Sequence, residues 1–164
     1  MKIVYCLSAV LSLSVLGCSN VNPRVVTKLN IGASLLGELP SNPLQGKVIT
    51  SWINQQNSTM STLFGNDIAV QYARSNSQHD YPAGSVLSVV TWSEQEDPRW
   101  FGGNIPASTK SVEFVAVGNG ADGKPTYSYQ NYAGVPLKKM LAEDGSAPNE
   151  RAAFLLSQRA AVMP

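Results

Sequence analysis

Most of this sequence lacks the residues that carry redox and metal chemistry. The chain has two cysteines, Cys6 and Cys18, and both fall near its amino terminus. Its only histidine is His79. The body of the chain therefore offers no disulfide, no thiolate nucleophile and no cysteine-rich metal site. A Cys-x-x-Cys-His motif, which attaches c-type haem, is also absent because no cysteine stands near the histidine.

Charge is scarce as well, and neither sign dominates. Charged residues make up 14% of the 164 residues, with 12 basic against 11 acidic side chains. The basic residues form no run, whereas proteins that bind nucleic acid need clustered cations to neutralise phosphates. We therefore expect no nucleic-acid partner. The apolar content of 43% is that of one globular domain of ordinary size.

The amino terminus has the pattern of a signal peptide. Its first two residues, Met-Lys, provide a positive start, and the apolar run after them is shorter than the roughly 20 residues of a membrane-spanning helix. Residues 15–18 read Val-Leu-Gly-Cys, which resembles the lipobox of bacterial lipoproteins. We predict removal of residues 1–17 and acylation of Cys18. An ordinary secretory signal cleaved near Gly17 is the alternative.

Acylation would anchor the protein to a membrane. Each buried methylene contributes roughly 0.8 kcal/mol, so several acyl chains hold a protein there almost permanently. Ser19 rather than aspartate follows the cysteine, which by analogy with the best-studied bacteria favours the outer membrane and a periplasm-facing domain. Residues 18–46 are rich in proline and small polar residues and predict a tether, with one short helical stretch within residues 26–36. The globular domain is then residues 47–164.

The segments of that domain predict an α+β fold built on an antiparallel sheet. Runs of β-branched and aromatic residues predict strands at residues 47–54, 59–64, 85–92, 111–117 and 127–132. One predicted helix begins after an Asn66 cap and runs to about Arg74, and a second covers residues 149–162. The third strand is apolar on both faces, which predicts a central strand covered on both sides.

A glycine-rich segment matches a dinucleotide-binding motif in its letters only. Residues 118–123 fit Gly-x-Gly-x-x-Gly and come after a predicted strand. In a dinucleotide site this motif opens a helix whose amino terminus holds the pyrophosphate. Here residues 124–127 lead into another strand, so the segment is predicted to be a hairpin loop.

Few side chains remain as candidates for binding chemistry. His79 lies in a polar loop, where it is either solvated or a ligand to haem or metal. One histidine cannot build a zinc site, which takes at least three protein ligands. Glu94, Glu96 and Asp97 form an acidic cluster, but their spacing is not that of an EF-hand, and an exposed acidic loop is the simpler interpretation. No metal site is predicted.

Several short motifs together resemble the cytochrome P-460 family over about residues 51–132. A Gly-Asn pair precedes a predicted helix, and a Pro-x-Gly turn precedes a strand that ends in tryptophan. The segments that carry the resemblance are residues 59–70, 73–74, 81–84, 86–87, 90–92, 96–98, 100–102, 105–106 and 111–115. The resemblance implies an antiparallel sheet with flanking helices in a periplasmic protein, which is often a homodimer.

The resemblance also implies haem chemistry, for which this sequence lacks the family's usual attachment. Haem-bearing members carry a c-type haem on a Cys-x-x-Cys-His motif near the carboxy terminus, and they oxidise hydroxylamine or bind nitric oxide. The predicted carboxy-terminal helix here has neither cysteine nor histidine. We therefore expect the fold without covalent haem, in a non-catalytic module that binds a small ligand or a protein.

A protein that binds haem non-covalently, with redox or small-nitrogen-species chemistry, is the alternative. The candidate contacts to haem or another ligand are His79, Met60, Trp92 and Trp100. A purely structural envelope module is a third hypothesis. No catalytic residue can be assigned from the sequence, no bound cofactor is predicted, and the suggested partners are the membrane and a second copy of the chain.

Overall fold

The structure, a computed structural model, describes residues 30–75, 80–121, 123–141 and 147–161. Two short 3-10 turns come first, at Ile31–Ala33 and Pro43–Gln45. The strands are β1 (Lys47–Asn54), β2 (Thr59–Gly65), β3 (Val86–Glu96), β4 (Asn104–Asn119), β5 (Pro125–Ala133) and β6 (Lys138–Lys139). The helices are α1 (Asp67–Arg74) and α2 (Ala147–Ser157). The predicted signal peptide and Cys18 lie outside the described residues.

The strands of the described residues form one sheet, in which each strand pairs antiparallel with the next along the chain. The five predicted strands are present, β6 adds a short sixth, and the predicted α+β class is confirmed. Side chains alternate between the two faces of the sheet along β3 and β4. Because β3 buries residues on both faces, the prediction of a central, doubly covered strand is also confirmed.

Both helices pack on one face of the sheet, which we call the helical face. Burying a leucine-sized side chain contributes about 1.5–3 kcal/mol, so this core fixes where the helices lie. Its sheet residues are Ile49, Leu63, Leu87, Val89, Val115 and Val117, and these meet Ala69, Val70 and Ala73 of α1, Ala152 and Leu155 of α2, and Tyr81.

The opposite face of the sheet is covered by the chain segment that precedes β1. Its core consists of Phe64, Val90, Trp92, Val112, Phe114, Tyr132 and Leu137, against which Ala33, Leu35, Leu39 and Met60 pack. The Trp92 indole N–H also donates to the Ala33 carbonyl at 2.9 Å. Residues 30–46 are thus part of the folded domain rather than an extended tether, because Leu35 and Leu39 pack on the sheet. Of the helical stretch expected near residue 30, the described part forms a single 3-10 turn.

Two motifs behind the family resemblance meet at the start of α1. The Asn66 side-chain oxygen accepts from the Ala69 backbone N–H at 3.0 Å, and its side-chain nitrogen donates to the Gly84 carbonyl at 2.8 Å. Gly84 has a φ of +89°, a conformation that glycine adopts without steric cost. Asn66 therefore connects the Gly-Asn pair to the Pro-x-Gly turn by a hydrogen bond. Its bond to Ala69 confirms the predicted helix cap.

The second helix ends earlier than the sequence predicts. The prediction covers residues 149–162, whereas α2 ends at Ser157. Beyond it, the Ala160 backbone N–H donates to the Ala73 carbonyl of α1 at 3.2 Å, and the next backbone N–H donates to a carbonyl of β1. These bonds replace those that a longer helix would make, so the chain after α2 lies against the body of the domain.

The glycine-rich segment joins β4 to β5 as a hairpin loop, which confirms the prediction. The Gly120 backbone N–H donates to the Lys124 carbonyl at 2.7 Å, and Gly123 has a φ of +75°. The next regular element is a strand rather than the helix that a dinucleotide site needs.

Glu94 and Glu96 lie in β3 rather than in the loop that the sequence predicts. The reason is that β3 and β4 continue beyond the neighbouring strands as a two-stranded hairpin.

Candidate functional site

A pocket of about 420 Å³ lies between the carboxyl end of α2 and the end of the sheet where β4 turns into β5. We call it the α2 pocket. Its volume falls within the roughly 300–1,000 Å³ of small-molecule sites, and its mixture of apolar, aromatic and a few polar groups is typical of them. It is lined by Asp80, Tyr81, Val117, Pro125, Thr126, Tyr127, Ala153, Leu156, Ser157 and Arg159.

Tyr81 is the most deeply buried aromatic residue of the α2 pocket. Its hydroxyl donates to the Gln158 carbonyl at 2.8 Å, and its ring lies 4.6 Å from the Tyr72 ring, measured between centroids. Burial raises the pKa of the Tyr81 phenol above its ordinary value, although the nearby Arg159 cation opposes that shift. The phenol therefore stays protonated at physiological pH and acts as a hydrogen-bond donor.

Arg159 brings a positive charge to the wall of the pocket. Its guanidinium carbon lies 5.2 Å from the centre of the Tyr72 ring and 5.4 Å from that of Tyr81, within the range of cation–π attraction. Its Nη1 also donates to the carbonyls of Leu156 and Gln158, at 3.1 and 2.9 Å. The guanidinium is thus held in place beside two aromatic rings, and Asp80 adds a negative charge to the same lining.

Strand β5 forms the solvent side of the α2 pocket. Pro125, Thr126 and Tyr127 are exposed, whereas Tyr81 and Val117 are buried. Tyr127 lies opposite Val117 in the sheet, so one wall runs from the protein surface to the core. The pocket therefore opens along β5, and a ligand can reach the buried tyrosine from that side.

The raised pKa of the Tyr81 phenol should make the stability of the fold depend on pH in the alkaline range. Because its folded-state pKa is raised, its stabilising contribution is complete below the unfolded pKa of about 10 and is lost as the pH rises through the folded value. Tyr81→Phe is expected to lower the free energy of unfolding by about 1 kcal/mol near pH 7, because one hydrogen bond to the Gln158 carbonyl is removed.

Urea unfolding between about pH 9 and pH 11 measures this effect. The loss of stability in that range should be smaller for Tyr81→Phe than for the wild type, and Tyr127→Phe, which changes an exposed phenol of the same pocket, is the matched control. Identical alkaline slopes for all three proteins would show that Tyr81 does not titrate as a buried group.

A buried ion pair holds the amino-terminal half of α2 to the sheet. Arg151 Nε and Nη2 donate to the two carboxylate oxygens of Glu113, at 2.9 and 2.7 Å. The Tyr129 hydroxyl donates to one of the same oxygens at 2.6 Å. The Glu113 side chain is 7% exposed, and its hydrogen bond raises the pKa of Arg151, which keeps the guanidinium protonated. Since α2 supplies one wall of the pocket, this pair also fixes the pocket's shape.

Of the ligand contacts suggested by the sequence, the three within the described residues are not brought to the α2 pocket. Met60 and Trp92 lie opposite each other on β2 and β3, and both pack on the face of the sheet away from the helices. Trp100 is exposed at the turn between β3 and β4. His79 lies outside the described residues, although Asp80, which comes directly after it in the chain, lines the pocket.

The acidic cluster uses its carboxylates within its own hairpin. Glu94 Oε2 accepts from the Asn104 side-chain nitrogen at 3.2 Å. An Asp97 oxygen lies 3.7 Å from Arg99 Nε. Across the described parts of the chain, no group of three or more His, Cys, Asp and Glu side chains is arranged to hold a metal ion.

A comparison with protein-family models bears on this fold. The model described as cytochrome P460 matches residues 44–146, which is more than half of the chain. The chain belongs to the cytochrome P460 family. The resemblance drawn from the sequence motifs is thereby confirmed. A comparison with curated proteins found no match.

The described residues of the α2 pocket in this cytochrome P460 domain offer haem iron no available ligand. Haem iron is held in proteins by His, Cys, Met or Tyr side chains. Among the described residues of the lining there is no His, Cys or Met, and the buried tyrosine, Tyr81, keeps its proton and donates to Gln158. The described lining therefore suits an organic ligand better than one bound through iron.

Sequence reasoning missed most of the residues that build the pocket and support it. Tyr81 stands in the sequence only as part of a turn motif, and Tyr127 and Arg159 stand in no motif. Glu113 did carry a signal, because it is the only charged residue in the apolar run 111–117, and a buried carboxylate needs a cationic partner. Which arginine supplies that cation depends on how α2 packs.

Proposed function

We propose that this chain is a periplasm-facing lipoprotein whose cytochrome P460 domain binds a small planar ligand in the α2 pocket without covalently attached haem. The anchor would be a lipid on Cys18, and the outer membrane is the proposed location. The signal-peptide pattern and the Val-Leu-Gly-Cys sequence support the anchor. Within the described residues, neither helix has the length and apolar character needed to span a membrane.

The pocket itself is the observation that carries the proposed binding role. It combines a buried aromatic ring (Tyr81), whose hydroxyl donates to the Gln158 carbonyl, with a guanidinium held beside that ring (Arg159) and an accessible aromatic side (Tyr127). Such a set suits a flat, partly apolar molecule that stacks on the aromatic side chains. The missing Cys-x-x-Cys-His motif supports a role without covalent haem.

Binding of anilinonaphthalene sulfonate, a planar aromatic anion, tests this role. Ala153 lines the pocket from an exposed position on α2, so Ala153→Trp should fill the pocket without disturbing the core. We expect this variant to bind the probe at least about tenfold more weakly, equivalent to about 1.4 kcal/mol. Fluorescence titration measures the dissociation constant, and thermal unfolding verifies that the variant is folded.

The matched control is Glu150→Trp, which adds the same side chain at an exposed position of α2 outside the pocket lining. It should bind the probe as the wild type does. Equal affinity of the wild type and the Ala153→Trp variant would overturn the proposed ligand site.

Non-covalent haem binding, with redox or small-nitrogen-species chemistry, is the second candidate. Membership of the cytochrome P460 family favours it, and so does the position of His79 directly before the pocket residue Asp80 in the chain. Titration of the purified protein with haemin tests it. A spectrum of bound haem that is lost in His79→Ala or in Met60→Ala would establish this candidate, and unchanged haemin spectra would end it.

A homodimer remains a prediction from the family resemblance. Sedimentation of the purified protein over a range of concentrations would measure the association directly. A stable dimer that binds no probe would favour a purely structural envelope module over a ligand-binding one.

A further inference from the structure

The hairpin of β3 and β4 projects beyond the rest of the sheet. β2 begins opposite Ser93, and β5 ends opposite Ser111, so beyond these residues β3 and β4 pair as strands only with each other, with one further bond from the Glu94 backbone N–H to the Ser58 carbonyl. The turn between them, residues 97–103, is therefore the farthest point of this end of the domain. We call these residues the hairpin tip.

The hairpin tip presents two large apolar side chains to solvent. Trp100 is 75% exposed and Phe101 is fully exposed. The turn is nevertheless well defined: the Asp97 backbone N–H donates to the Gly103 carbonyl at 2.8 Å, and the Gly103 N–H donates to the Trp100 carbonyl at 2.9 Å. Exposing two adjacent aromatic residues on an ordered turn is costly in water unless another apolar phase covers them.

The described chain starts beside this same hairpin. The Asn30 side-chain nitrogen donates to the Pro106 carbonyl at 2.7 Å, and Gly32 lies so close to the Ala107 carbonyl that a larger residue would collide with it. Ile31, between them in the chain, is also exposed. The segment between Cys18 and Asn30 spans at most about 40 Å when fully extended. A lipid on Cys18 would therefore place the projecting hairpin within reach of the membrane surface.

We propose that the hairpin tip docks on the lipid bilayer, with Trp100 and Phe101 inserted at the level of the headgroups. This inference rests on the proposed lipid anchor at Cys18. Tryptophan prefers the membrane–water interface because its ring is apolar and its N–H can donate to headgroups or water, and phenylalanine adds apolar contact with the acyl chains. The anchor raises the local concentration of membrane around the hairpin, so weak insertion is enough to orient the domain.

The charges around the tip indicate that docking depends on apolar contact. Glu94, Glu96 and Asp97 outnumber Arg99 there, so an anionic bilayer offers the tip no electrostatic attraction. Docking on zwitterionic vesicles should therefore be insensitive to added salt, which screens exposed charges but not apolar burial. Docking should also be stronger on zwitterionic than on strongly anionic vesicles.

Docking in this way orients the α2 pocket. The pocket lies at the other end of β4, next to Val117, and residues 104–117 of that strand span about 40 Å. With the hairpin tip on the bilayer, the pocket faces away from the membrane toward the aqueous compartment. A soluble ligand could then enter along β5 without approaching the lipid.

Quenching of tryptophan fluorescence by brominated lipids tests the docking. The acylated full-length protein is reconstituted in phosphatidylcholine vesicles with and without bromine on the acyl chains. We expect quenching and blue-shifted emission in the wild type. Both should be lost in Trp100→Phe, which removes the fluorophore of the tip, keeps an aromatic side chain there and leaves only the emission of Trp52 and Trp92. Phe101→Ser, which keeps Trp100, should show weaker quenching than the wild type.

The matched control is Leu141→Ser, which changes an exposed apolar residue outside the hairpin and should leave the quenching unchanged. Protein that co-floats with the vesicles while Trp100 remains unquenched would overturn the docking and leave the anchor standing. Protein that does not co-float would overturn both. A blue shift that depends on protein concentration rather than on lipid would overturn bilayer docking in favour of a second copy of the chain.

Discussion

Replacing Arg151 with methionine is expected to lower the free energy of unfolding by about 1–3 kcal/mol, the cost of leaving a buried polar group without its partner. Arg151 makes two hydrogen bonds to Glu113, whose side chain is only 7% exposed on the central strand β4. Without the guanidinium, the carboxylate is left in the protein interior without its cation. Breaking a buried pair in this way costs more than the pair contributes over an apolar equivalent. Urea unfolding near pH 7 measures the loss.

A double variant separates the cost of an orphaned charge from the loss of packing. Arg151→Met combined with Glu113→Leu removes both charges, so much of the stability lost in the single variant should return. Lys47→Gln is the control, since it breaks the ion pair with Asp67 between two exposed side chains and should leave stability almost unchanged. An Arg151→Met protein as stable as the Lys47→Gln variant would refute the anchoring role of the pair.

The same variant links stability to the α2 pocket. Arg151 lies on α2, which also contributes Ala153, Leu156 and Ser157 to the pocket wall. If the ion pair positions the helix, folded Arg151→Met protein should bind the anionic probe more weakly even though Arg151 does not line the pocket. The double variant, which restores packing between helix and sheet, should recover part of that affinity.

Replacing Cys18 with alanine is expected to move nearly all of the protein from the membrane fraction to the soluble fraction. Acyl chains on Cys18 would supply most of the membrane affinity, at roughly 0.8 kcal/mol for each buried methylene. The hairpin tip offers two aromatic side chains, Trp100 and Phe101, which orient a tethered domain but hold an untethered one only weakly. Fractionation of cells followed by immunodetection measures the distribution.

Loss of the cysteine also removes the residue at which the signal peptide is processed, so a second variant is needed. In it, residues 1–18 are replaced by a secretory signal that is cleaved without acylation, and the mass of the mature amino terminus verifies the cleavage. Both proteins should unfold at the temperature of the wild type, because residues 30–46 already pack on the sheet. A cleaved, unacylated protein that stays in the membrane fraction would refute the lipid anchor.

The fold could be predicted because its strands carry strong local patterns. In β3, Leu87 and Val89 are buried on the helical face of the sheet, whereas Val90 and Trp92 are buried on the opposite face, as the alternation along the strand predicts. Asn66 is an equally local signal, since a capping side chain needs only the first turn of its own helix.

Other parts of the structure depend on contacts between distant segments, which the sequence does not display. Residues 30–46 have the proline and glycine content of a linker. Leu35 and Leu39 of this segment are held in place by packing on the face of the sheet opposite the helices. The early end of α2 likewise depends on the Ala73 carbonyl, which accepts from Ala160. Local patterns therefore predict the strands correctly, but they do not reveal that residues 30–46 cover one face of the sheet.

The pocket was beyond sequence reasoning for the same reason. Tyr81 comes after α1, Tyr127 lies on β5, and Arg159 comes after α2, so the three meet only once both helices have packed on the sheet. The sequence supplied candidates by residue type instead, and Met60 and Trp92 proved to be core residues of the opposite face. Residue type identifies what a side chain can bind, whereas tertiary packing decides where it lies.

The most direct measurement is an absorption spectrum of the protein purified from its native membrane, taken together with the intact mass of its amino-terminal peptide. We expect no Soret band that survives denaturation, and a peptide that begins at Cys18 and carries the mass of acyl chains. A Soret band that stays with the unfolded chain would refute the absence of covalent haem. An unmodified amino terminus would refute the membrane anchor.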